Sequence, residues 1–104
     1  MKRRDVGEAA WAERSHDQLA TVLARIEDAQ TMAAFLDDLC TPAEIEAMAD
    51  RWSVVPLLAT GTPYRTIHDR TGVSVTTIGR VARCLDHGSG GYRAALERHT
   101  GASA

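Results

Sequence analysis

Apolar positions in this chain recur at three- and four-residue spacings and never alternate with polar ones over a strand length, so the pattern predicts helices throughout. Leu19, Val22, Leu23 and Ile26 make one stripe at i, i+3, i+4 and i+7. Ser15-His16-Asp17-Gln18 reads as a capping box ahead of it. That start leaves residues 1–14 as an N-terminal arm that is only partly helical, and residues 15–104 as a single helical domain. Thr31 reads as the cap of a shorter helix with the stripe Met32, Phe35, Leu36 and Leu39. Thr41-Pro42-Ala43-Glu44 is a stronger start, with Thr at the cap, Pro at the first helical position and Glu able to reach back to the cap amide. Its stripe is Ile45, Met48, Ala49, Trp52 and Val55, and Gly61 closes it. Pro56 lacks the donor that would pair with the Trp52 carbonyl, a cost of ~3 kcal/mol inside a helix. A kink within residues 52–57, or two helices with Pro56 opening the second, is therefore expected.

Thr62-Pro63 reads as cap plus first turn of a helix to about Thr71, with Ile67 as its apolar anchor. Gly72 turns the chain, Ser74 caps the next helix from Val75 to about Leu85, and Gly88-Ser89-Gly90-Gly91 precedes a last short helix, Tyr92 to His99. Two short helices joined by a glycine turn, the second capped by serine, make a helix-turn-helix over about residues 63–85. Ile67 before the turn and Ile78 and Val81 after it have the spacing that packs the two helices together.

At 100° per residue, with Ile78 at the origin, Val81, Ala82 and Leu85 fall within about 60° of it. Thr76, Arg80 and Arg83 fall within about 40° of the opposite pole, flanked by Thr77, Gly79 and Cys84. The outward face is small, polar and basic, and carries no acid. A DNA major groove admits such a helix, where Arg can fork onto guanine and Thr can meet a base edge or the thymine methyl. The candidate DNA contacts are Arg65, His68, Ser74, Val75, Thr76, Thr77, Gly79, Arg80 and Arg83. The alternative is a helical interaction module that docks another protein through the same motif.

The net charge of −2 hides an asymmetry. Residues 1–61 hold six Lys/Arg against eleven Asp/Glu, and residues 62–104 hold six Arg against three acids. A basic end on an acidic chain suits contact with phosphate. At 44% hydrophobic and 25% charged the composition is globular. No apolar run approaches a membrane span or a signal-peptide core, so a cytoplasmic location is expected. Cys40 and Cys84 form no Cys-x-x-Cys pair, the four histidines lack zinc spacing, and no nucleophile-base-orienter set is recognisable. Neither an enzyme, nor a metal site, nor a cofactor is expected. The two stripes nearest the N-terminus offer more apolar surface than one short chain covers, which predicts an obligate homodimer.

From about Leu19 to His99 the chain resembles the Trp repressor superfamily, within it the TrpR-like YerC/YecD family of small bacterial regulators. The matching text is Phe35-Leu36-Asp37-Asp38-Leu39-Cys40-Thr41 leading into Glu44-Ile45-Glu46-Ala47-Met48-Ala49-Asp50-Arg51. It continues through Gly61-Thr62-Pro63-Tyr64-Arg65-Thr66-Ile67 and Thr77-Ile78-Gly79-Arg80-Val81-Ala82-Arg83-Cys84-Leu85 to His87-Gly88-Ser89-Gly90-Gly91-Tyr92, the most specific block. The resemblance implies an all-α, intertwined homodimer that binds double-stranded operator DNA. It also implies that Arg51 and Arg80 correspond to the arginines flanking an amino-acid corepressor, and Thr41 and Thr77 to pocket threonines. Arg51 reads also as a structural arginine pairing with carboxylates or helix ends. Val81 stands where that repressor has a glycine beside the ligand, and Cys84 where it has a serine. A branched side chain there should obstruct an indole, so tryptophan is not the expected effector.

Overall fold

The computed structural model describes residues 7–100. They form six helices: α1 (Glu8–Arg25), α2 (Ala29–Leu39), α3 (Pro42–Ala59), α4 (Tyr64–Thr71), α5 (Val75–His87) and α6 (Gly91–Thr100). The described residues up to Thr41 make one compact unit and those from Pro42 a second.

In the first unit neither α1 nor α2 buries a residue. Their stripes are where the periodicity puts them, but the helix starts are not. α1 begins seven residues before Ser15, behind Gly7 at φ 89°. Ser15 lies inside the helix and its hydroxyl donates to the Ala12 carbonyl (3.1 Å). Residues 8–14, read as part of an arm, are thus helical, and residues 1–6 lie outside the described residues. α2 is capped by Asp28 rather than Thr31: the Asp28 carboxylate accepts the Thr31 N–H at 2.8 Å. That bond favours the ionised form and holds the Asp28 pKa below the usual carboxylate value. A carboxylate three residues upstream satisfies the orphan amide more strongly than a hydroxyl inside the turn could.

The second unit holds the core. Val54 and Val55 of α3, Ile67 of α4, Val73 of the turn, and Ile78, Val81 and Leu85 of α5 are buried together, with Trp52, Leu57, Leu58, Tyr92 and Leu96 packed against them. Each fully buried branched side chain contributes about 1.5–3 kcal/mol. α3 packs against α4, α5 and α6, so its C-terminal half needs apolar surface over a wide arc, and the adjacent Val54 and Val55 are both at zero exposure. In its N-terminal half Ile45 is half-buried, and Met48 and Ala49 are exposed. Trp52 meets His99 of α6 edge to face, ring centroids 5.9 Å apart.

Helix α3 starts at Pro42, with Glu44 in its first turn, as the motif predicts. It runs through Pro56 as one assigned helix, not two. Val54 and Val55, both buried within the turn that the missing bond would close, contribute apolar burial against its cost. Gly61, at φ 79°, then ends the helix in a Schellman motif: its N–H donates to the Leu58 carbonyl (3.0 Å) and that of Thr62 to the Leu57 carbonyl (3.0 Å). α4 starts one residue later than expected. Pro63 occupies the N-cap and its carbonyl accepts from Ile67 N–H, while the Thr62 hydroxyl sits 3.3 Å from that of Thr60.

Candidate nucleic-acid interface

The turn between α4 and α5 is tied by short bonds. Gly72 takes the left-handed conformation (φ 76°) that a branched residue would resist, and donates to the His68 carbonyl at 2.8 Å. The Thr71 hydroxyl donates to the Ile67 carbonyl (2.7 Å) and accepts from the Val73 N–H (3.1 Å). His68 Nδ1 lies 2.8 Å from the Val73 carbonyl. A carbonyl only accepts, so Nδ1 carries the proton and Nε2 is left as an unpartnered acceptor on an exposed ring. Ser74 caps α5 as expected, accepting the Thr77 N–H at 3.1 Å while its hydroxyl donates to Thr77 Oγ1 at 3.0 Å.

These bonds fix the rotation of α5. Ile78, Val81 and Leu85 are 0%, 1% and 7% exposed. Thr76, Arg80 and Arg83 are exposed at the other pole, with Val75 exposed at the N-terminal end and Thr77 and Gly79 half-buried at the flanks. Arg65 and His68 are exposed on α4. Arg65, Arg80 and Arg83 take part in neither the His16–Asp17 nor the Arg93–Asp86 ion pair. The sequence reading missed Tyr64, 42% exposed at the first position of α4 with its ring edge against Gly79 of α5. Nothing local signals that pairing; only the crossing of two helices creates it.

A cavity of about 250 Å³ opens between α3 and the turn, lined by Asp50, Arg51, Val73, Ser74, Thr77 and Arg80 among others. It brings together Arg51, Thr77 and Arg80, as the sequence implies, and adds Asp50, which the sequence reading did not single out. Thr41 belongs to the other unit. Arg51 takes part in neither the His16–Asp17 nor the Arg93–Asp86 ion pair, and Asp50 shares its cavity. Val81 is buried in the core and Cys84 lines a different cavity, so neither stands among the walls beside Arg51 and Arg80. The steric reason for excluding an indole therefore does not rest on those two side chains.

Another cavity, about 420 Å³, lies at the α5–α6 elbow against Cys84, Gly88, Ser89, Gly91 and Tyr92. Gly88 is required there: a Cβ on it would collide with the Cys84 carbonyl that accepts its N–H.

The sequence profile of the Trp repressor protein family matches residues 14–100. The chain is 42% identical over 82 residues to the uncharacterised protein YerC of Bacillus subtilis, an alignment covering 79% of each. It superposes on the crystal structure of a Staphylococcus aureus protein assigned as a candidate Trp repressor with a TM-score of 0.78 and 33% identity, covering 84% of this chain and 87% of that one. A TrpR-like protein from Eubacterium eligens gives a TM-score of 0.77 and 32% identity, covering 84% and 90%.

Proposed function

The chain belongs to the Trp repressor family, and from that premise we propose that it is a homodimeric, sequence-specific DNA-binding transcriptional regulator that reads the major groove with α5. The observation that carries this reading is the outward face of α5: exposed Thr76, Arg80 and Arg83, no acid, and arginines that take part in neither of those ion pairs. Val75 and Thr76, at the N-terminal end, approach base edges. Arg65 and Arg83 meet phosphates, with the oriented His68 ring exposed on the same helix as Arg65. Ser74 and Thr77, bonded to each other, hold the helix start in register. Pairing of two chains through the exposed stripes of α1 and α2 sets two such helices on one face of the duplex, about one helical turn apart. Work on DNA places the protein in the cytoplasm.

The cavity beside Arg51, Thr77 and Arg80 supports a small-molecule effector site, where two arginines outnumber the carboxylate of Asp50. Arg80 lies both on the exposed face and on the cavity wall, so an occupant there would compete with DNA for its guanidinium or aim it. Tryptophan is not proposed as that occupant.

Two variants, measured on a duplex selected from random sequence and on a scrambled one, test the assignment. Thr76→Ala should alter the preferred sequence, by about 1–3 kcal/mol at one base pair. Arg83→Ala should weaken both duplexes alike and reduce the slope of log affinity against log salt by about one charge. If neither changes binding while the fold and the dimer persist, α5 is not the groove-facing helix and docking to another protein becomes the better reading.

A further inference from the structure

Four glycines have conformational reasons to be glycine: Gly7, Gly61, Gly72 and Gly90 hold positive φ. Gly88 has a steric one. Gly79 has neither. It lies in the interior of α5 with ordinary helical backbone, where glycine costs roughly 1 kcal/mol relative to alanine. A methyl group there would meet only the Tyr64 ring, at 4.0 Å, which is normal van der Waals contact. Packing within the chain thus tolerates alanine and helix formation favours it. What a bare position on an exposed helix does provide is close approach of something from outside.

Tyr64 borders that bare position. It is 42% exposed at the start of α4, and its hydroxyl has no hydrogen-bond partner among the described residues. Gly79 is half-buried, one edge atom of this ring lies 4.0 Å from where its Cβ would stand, and the exposed Thr76, Arg80 and Arg83 share its helix.

We propose that Gly79 and Tyr64 form a seat for one sugar–phosphate strand of the duplex. Resting on the DNA-binding reading above, this assigns the contact to two uncharged residues: the bare Gly79 lets the strand close against α5, and the Tyr64 hydroxyl donates to a phosphate oxygen. Such a contact sets how deeply the helix sits in the groove and adds nothing to the count of neutralised charges.

The test compares wild-type protein, Gly79→Ala and Tyr64→Phe by thermal unfolding and by affinity for the selected duplex across a salt series. Gly79→Ala should raise the melting temperature by about 4 °C yet weaken DNA binding by about tenfold, stability and affinity moving in opposite directions. Tyr64→Phe, which keeps the ring, should weaken binding by about tenfold with the salt slope unchanged, unlike Arg83→Ala. Binding within twofold of wild type by either variant overturns the proposal, and so does a fall in melting temperature for Gly79→Ala, which would show that the glycine serves the fold. If wild-type protein binds no duplex at all, the regulator reading fails and this seat fails with it, an outcome distinct from wild-type binding that the variants leave intact.

Discussion

Replacing Ile78 with alanine should lower the unfolding free energy of the helical unit by about 2–5 kcal/mol, the cost of deleting a buried branched side chain whose cavity closes only in part. Ile78 has no exposed surface and stands in the cluster that joins α3, α4 and α5. The core offers little to share the loss, since it holds only seven buried hydrophobic residues among those described. Against a typical total of about 5–15 kcal/mol, the change should lower the melting temperature by at least about 10 °C. Thermal unfolding followed by circular dichroism measures it, with Thr76→Ala, on the exposed pole of the same helix, as the control. A drop of less than about 2 °C for Ile78→Ala would show that α5 is not held by this face.

The second large effect concerns assembly. Leu19 and Val22 of α1 and Leu39 of α2 remain 39%, 44% and 50% exposed, and neither helix buries any residue. Helices of this amphipathic kind are marginal without a surface to cover them. Val22→Asp changes little within one chain, because the position is already in solvent, but would place a charge in the proposed interface between two. Sedimentation should find wild-type protein dimeric at micromolar concentration. Val22→Asp should raise the dissociation constant at least about a hundredfold, given the lost apolar burial and the unpaired charge. A stable, fully helical wild-type monomer at micromolar concentration would remove homodimerisation from the account.

The helix-turn-helix was legible because its signals are local. Gly72 needs a left-handed backbone, Ser74 reaches an amide three residues on, and Ile67, Ile78 and Val81 follow helical spacing. The exposed pole of α5 followed from the same arithmetic. Helix starts were harder to read because several residues compete for one role. Asp28 outranks Thr31, Pro63 replaces Thr62, and the helix continues upstream through Ser15 to Gly7. Features made by tertiary contact left no local trace. Val54 joins Val55 in the core only because α3 is wrapped by three helices, and Pro56 stays within that helix for the same reason. Asp50 joins the arginine cavity, and Tyr64 meets Gly79, through the crossing of α3, α4 and α5 rather than through any motif. The resemblance to Trp repressors put Arg51, Thr77 and Arg80 together, and one cavity brings them together; it also put Val81 beside a ligand, whereas helical spacing put it with Ile78, where it is buried.

The most direct test of the central claim is the affinity of the purified protein, as a function of salt, for duplexes selected by it from a random pool. The account predicts enrichment of a sequence with two related half-sites about one helical turn apart. It also predicts affinity for that duplex at least about a thousandfold above scrambled DNA, falling linearly on log–log axes with a slope reporting several neutralised phosphates. No enriched sequence, together with an affinity for DNA that is weak and the same for every duplex, would contradict it.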